Sequence, residues 1–232
     1  MIIKNKKATH VGVILSFVIF VTFVIFLIVV LKPTSNLQNS EKATIELLKN
    51  NLQNFISSEL TSFILSPPSS ADCFTLDESN FSLSNLNYSV RNQNNENLNS
   101  YRGANILYIE KSDSDQIYKV DYASEELNNT LFVDPADCVE LEINSIKKTD
   151  KMFESKINEL ILKQENNYSG LKSDFNIPSE KEFGIIFEFE NITTIGKSVP
   201  EKRKATYVKK FQVIYLDLNA NERTGNFIIY IL

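Results

Sequence analysis

Between Val11 and Leu31 the chain reads VGVILSFVIFVTFVIFLIVVL, without one charged residue. A helix rises about 1.5 Å per residue, so this run covers roughly 30 Å, the thickness of a bilayer's hydrocarbon core. A buried helix of a globular protein keeps a polar stripe. The polar side chains here are Ser16 and Thr22, whose hydroxyls can bond back to the preceding turn. The run exceeds the roughly 7–15 residues of a cleaved signal core, and Lys32-Pro33-Thr34 offers no small-x-small cleavage site. The expectation is an uncleaved signal anchor with a transmembrane helix over 11–31.

Lys4, Lys6 and Lys7 precede the span and Lys32 alone follows it closely. The positive-inside rule then keeps residues 1–10 in the cytoplasm as a basic leader and sends the rest outside the cell membrane. Of the 24 basic residues, 21 lie beyond those three lysines, against 29 acidic ones, a net charge of −8 for the outer part. That sign argues against nucleic acid or anionic lipid as a general partner of the outer part, while the apolar span makes the lipid bilayer the first partner.

Pro33 and the polar residues after it suggest a break or kink just outside the membrane. Ile45, Leu48, Leu52, Phe55, Ile56, Phe63 and Ile64 recur at spacings of three and four, which predicts an amphipathic helix continuing the anchor within 32–66. Ser66-Pro67-Pro68-Ser69-Ser70 ends it. Residues 67–232, about 165 in number, suffice for one head domain with a core of its own.

The head reads as α+β with a mainly antiparallel sheet. Asn105–Lys111 and Gln116–Tyr122 flank Ser112-Asp113-Ser114-Asp115 and predict a hairpin. Val139, Leu141 and Ile143 alternate with polar residues as one strand. A helix is expected over about 150–166, capped by Thr149 or Asp150, with Met152, Phe153, Ile157, Leu160 and Ile161 inward. Phe183, Ile185, Phe187 and Phe189 form one strand face; Tyr207–Leu218 and Phe227–Leu232 read as covered strands joined by a loop over 219–225. The tract Arg91-Asn92-Gln93-Asn94-Asn95-Glu96-Asn97 reads as an exposed loop.

Cys73 and Cys138 are either two free, buried small hydrophobes or a disulfide, and the exported side favours the disulfide. Their surroundings echo each other, Ala-Asp-Cys-Phe-Thr-Leu against Ala-Asp-Cys-Val-Glu-Leu. Asn80, Asn87, Asn128, Asn167 and Asn191 head glycosylation sequons, most of which chance supplies in so Asn-rich a chain. The single histidine, His10, falls in the leader, so neither a Ser-His-Asp arrangement nor a histidine metal site is expected in the head. Asp113-Ser114-Asp115 lacks the glycine and distal glutamate of a calcium loop. Lys197–Lys204 is the one basic run and reads as a solvated loop. No catalytic, cofactor or metal site is expected.

The order of parts resembles archaeal type IV pilin-like proteins: a short basic leader, MIIKNKKA, then a hydrophobic helix with an amphipathic half, then a β-rich head. Lys7-Ala8 resembles a prepilin-peptidase site, which would make Thr9 the mature N-terminus. Many pilins carry glutamate at the fifth mature position, and here that position is Val13. The resemblance therefore implies a minor or pseudo-pilin, or an archaellum-stator-like anchored protein, with pilin-like subunits or surface-layer components as partners. A monomeric receptor or adhesin-type module is the alternative, and an anchored enzyme working with carboxylates alone is the third reading.

Overall fold

The computed structural model describes residues 6–66, 73–111, 117–131, 138–190, 194–196 and 207–232, with the side chains of 6–11, 31–40 and 194 excepted. The chain divides into two compact units, Met1–Glu46 and Leu47–Leu232. The protein is α+β, with three helices and two sheets among the described residues, the larger mostly antiparallel and the smaller with two of its four pairings parallel.

The first unit is helical. α1 spans Lys6–Ile56 and passes through Pro33 without interruption, so the expected break there is absent. Within it Gly12–Val30 has a mean hydropathy of 3.4 and no buried residue, long and apolar enough to cross a membrane. Thr22 Oγ1 donates to the carbonyls of Val18 and Ile19 at 3.0 and 2.9 Å, so its hydroxyl needs no water.

In the second unit the helical stripe stops earlier than its spacing suggests. Leu48, Leu52 and Ile56 are buried on the last turns of α1. Ser57–Ser66 is then strand β1, not helix, and Phe63 and Ile64 point to opposite environments, one buried and one exposed. Neighbours decide this. β1 pairs antiparallel with β6 (Tyr118–Ala123) on one side and β9 (Glu142–Phe153) on the other, so both rows of its backbone groups are satisfied.

The larger sheet has eight strands in the order β11-β10-β13-β12-β9-β1-β6-β3. Its other members are β3 (Asn87–Asn92), β10 (Phe183–Phe189), β11 (Thr194–Gly196), β12 (Tyr207–Leu216) and β13 (Glu222–Ile231). A five-stranded sheet, ordered β7-β4-β5-β2-β8, holds β2 (Cys73–Asp77), β4 (Asn99–Arg102), β5 (Ile106–Glu110), β7 (Thr130–Leu131) and β8 (Val139–Glu140). The two sheets share a core in which Phe63, Val90 and Val120 meet Phe74, Leu107 and Ile109. Phe74 and Tyr118 have ring centroids 5.4 Å apart across it.

Several sequence expectations change here. The segments on either side of residues 112–115 do not form a hairpin. β5 belongs to the small sheet and β6 to the large one, and both alternate correctly because each faces the shared core. The turn at 112–115 itself lies outside the described residues. Val139 and Ile143 also fall on different strands, β8 and β9, with Leu141 buried between them. The expected helix over 150–166 begins at Glu154, as α2 (Glu154–Asn166). Asp150–Phe153 instead finishes β9, and the extended Phe153 starts the helix without a side-chain cap, so neither Thr149 nor Asp150 serves.

β12 is not covered on both faces, since Val208 and Ile214 are exposed. The β12–β13 turn is shorter than expected, because Glu222–Gly225 already pairs with β12. α2 and α3 (Tyr168–Asp174) cover the β10 side, where buried Gln164 hydrogen-bonds both the N–H and the carbonyl of Ile185, at 2.7 and 3.1 Å. The last turns of α1 meet the end of α3 through Phe55 and Phe175 and through Asn51 Nδ2 on the Phe175 carbonyl.

The disulfide joins Cys73 to Cys138 with Cα atoms 4.8 Å apart, and no free cysteine remains. That separation is the ordinary spacing of neighbouring strands. β2 and β8 lie parallel with Phe74 opposite Val139 and Thr75 opposite Glu140, the same offset of 65 as between the cysteines. The two echoing segments are therefore side by side in register, which gives their likeness a structural meaning.

Candidate functional site

The described part of the head carries one completely buried charge with several partners, Asp121 on β6. In register it sits opposite Ser62 on β1 and Ser89 on β3. A buried carboxylate is tolerated only when paired and hydrogen-bonded. Here Ser62 donates to Oδ1, the Arg91 guanidinium to Oδ2, and Lys119 Nζ approaches Oδ1 at 3.1 Å. Arg91 is itself only 3% exposed. Its Nη1 donates onward to Asn221 Oδ1 at 3.0 Å, in the turn between β12 and β13.

That turn and the Asn-rich tract are built from asparagine chemistry. Asn92 Oδ1 accepts from the backbone N–H of Asn94 and Glu96, both at 2.9 Å, which folds residues 92–96 into an Asx turn. The tract is thus not wholly exposed: Arg91 and Asn92 are buried at the end of β3, while Asn94 and Asn95 are exposed. Across from it, Asp217 Oδ1 accepts from the N–H of Asn219 and Asn221, and Arg223 Nε donates to Oδ2 at 3.0 Å. Asn219 Oδ1 accepts from both Asn97 and Asn128. In a flat sheet β3 and β12 would stand about 19 Å apart, at about 4.8 Å per strand. The turn closes that distance by folding back over the sheet, with Leu216 and Ala220 packed among Leu60, Ala123, Leu127 and Phe153.

Two clefts flank the turn. One, of about 500 Å³, is lined by Arg91, Lys119, Lys151 and Arg223, with Glu222 and the side chains of Asn94 and Asn95 at its rim. Four cations against one carboxylate contrast with the net charge of −5 for the chain. The other, of about 410 Å³, is lined by Glu154, Glu190, Asp217 and Tyr215, and shares Arg223 with the first. Burial, and then the Asp217 charge, raise the Glu154 carboxyl above its ordinary range, and burial pushes the Tyr215 hydroxyl up to about 12. Both Asp217 oxygens are committed, to the turn and to Arg223. Among the described residues no group of three or more His, Cys, Asp or Glu side chains is placed to hold a metal ion.

Glu222 is held below the usual carboxylate range, first by its 2.7 Å bond to Lys151 and then by the Lys119 and Arg91 charges. A depressed carboxyl contributes stability that is present above its unfolded pKa and is lost as pH falls through the folded one. The expected titration midpoint of Glu222, followed by carbonyl-carbon NMR, therefore lies below 4.5 and rises toward it in Lys151→Met. An unmoved midpoint would show that Lys151 does not set it.

The other residues singled out by sequence are scattered. Asn87 Nδ2 is bound to the carbonyls of Ser124 and Glu125, Asn128 to Asn219, and the Asn167 side chain caps Gly170 at the start of α3. Asn80 sits exposed in a turn, and Asn191 lies outside the described residues, as does the basic run 197–204. Lys7, Ala8 and Thr9 fall within α1. Arg91, Asp121, Lys119 and Lys151 were not singled out by sequence. The one available signal was a lone aspartate inside the apolar strand Tyr118–Ala123, which demands a buried cation. No protein-family model, curated protein or solved structure matches the chain.

Proposed function

We propose that the protein is a single-pass, membrane-anchored cell-surface protein with a pilin-like structural or assembly role, its leader in the cytoplasm and its head outside the cell. α1 carries this reading: one unbroken helix of 51 residues, apolar and without a buried residue over Gly12–Val30, that leads directly into a β-rich head. The Cys73–Cys138 disulfide adds support, since such bonds persist in oxidising compartments. The partners on this reading are the bilayer and other pilin-like subunits or surface-layer components, met through the helix.

Mass spectrometry of the native protein tests it. Processing after Ala8 is expected to leave Thr9 as the N-terminal residue, with larger assemblies in the membrane extract. An intact start at Met1 or Ile2 together with a strictly monomeric extract would sink the pilin-like role while leaving the anchor. A second reading, a monomeric anchored binding module, is favoured by one observation, the cationic cleft beside the β12–β13 turn.

A further inference from the structure

From the cleft lined by Arg91, Lys119, Lys151 and Arg223 we infer a binding site for a monoanionic, hydroxyl-rich small molecule, of the class of an acidic sugar. The inference deepens the second reading and does not depend on assembly through the helix.

Charge is the first argument. Asp121 neutralises part of the Arg91 and Lys119 charge, Glu222 pairs Lys151, and Asp217 pairs Arg223. Counting these pairs alone, four cations against three carboxylates leave one positive charge in excess; Glu154 and Glu190 bear on Arg223 from the neighbouring cleft. The match is to a single carboxylate or a singly charged phosphate group, not to a polyanion. A polyanionic strand also meets a head of opposite preference, since the outer part of the chain is strongly acidic.

Access is the second. Lys119, Lys151 and Arg223 are 37%, 34% and 49% exposed, so their donors reach solvent, while Arg91 lies at the base. Arg91 uses both terminal nitrogens on Asp121 and Asn221, yet its buried Nε has no acceptor among the described residues. A buried guanidinium fixed from two sides contributes a positive charge whose position is set before any anion arrives.

The rim supplies the third. Asn94, Asn95 and Asn221 bring amides to the same cleft, each able to donate and accept, as hydroxyl groups require. Leu60, Leu216 and Ala220 give it an apolar floor. A volume of about 500 Å³ falls within the size range of small-molecule sites.

Isothermal titration of the full chain in neutral detergent, with glucuronate, inorganic phosphate and glucose as separate probes, tests this. Saturable, salt-sensitive binding of glucuronate or phosphate is expected, with no binding of glucose. Preference for glucuronate assigns a sugar carboxylate, and preference for phosphate a phosphorylated ligand. The double variant Lys119→Gln/Lys151→Gln is expected to weaken binding by about tenfold or more, as loss of two charge-assisted contacts implies. Lys119→Arg/Lys151→Arg keeps the charge and retains binding, which separates charge loss from damage to the fold. Absence of saturable binding of either anion, equal binding of glucose, or unchanged affinity in the glutamine variant overturns the inference. The anchor and the state of Thr9 are read independently by mass spectrometry.

Discussion

Replacing Asp121 by alanine is expected to destabilise the head by about 3–5 kcal/mol, the range for removing one partner of a buried ion pair. The large cost does not come from the strength of the lost bonds. It comes from Arg91, which remains buried with its charge uncompensated, and from Ser62, whose hydroxyl loses its acceptor. Thermal unfolding of the full chain in detergent, followed by circular dichroism, reads the loss as a drop of roughly 6–20 °C for a domain of this size. The paired variant Arg91→Met/Asp121→Leu removes both charges and is expected to recover part of that loss. A single variant that unfolds within a degree or two of the native protein would show that Asp121 does not carry the pair.

Loss of the disulfide has the other large effect. A loop of 65 residues closed by a covalent bond stabilises by about 4 kcal/mol on the chain-entropy account. The local consequence is as informative. β8 has two residues, and among the described residues it pairs with β2 alone, in a short parallel ladder. Cys73→Ser/Cys138→Ser is therefore expected to lower the unfolding temperature and to open the segment around Val139 to limited proteolysis. Reduction of the native protein should reproduce both changes. Unaltered melting and cleavage after reduction would mean that the strand holds without its bond.

These two features were unequally visible in the sequence. The cysteines stood in echoing segments, and the structure pairs those segments directly. Asp121 and Arg91 lie 30 residues apart on neighbouring strands, and Arg91 opens a tract whose asparagines read as loop. Only the register of β3 on β6 brings them together, and register is a tertiary fact.

The same limit explains β1. Leu60, Phe63 and Ile64 fit a helical stripe, and Phe63 and Leu65 fit alternation. Leu60 to Phe63 are buried consecutively, so burial follows neither period. No glycine or proline stands near the Ile56–Ser57 junction to announce the change. The apolar span was legible because an uncharged run of that length has few other uses, and α2 because its inward residues keep one period over thirteen positions.

The direct passage from Ile56 into Ser57 has a mechanical consequence. With no linker to take up slack, tension applied through the last turns of α1 is delivered straight to the first residue of β1. β1 is an inner strand, bonded to β9 from Ser57 to Ser66 and to β6 from Leu60 to Leu65. Such a load is resisted by both ladders together. β1 thus takes up the end of α1 with pairing on both of its sides.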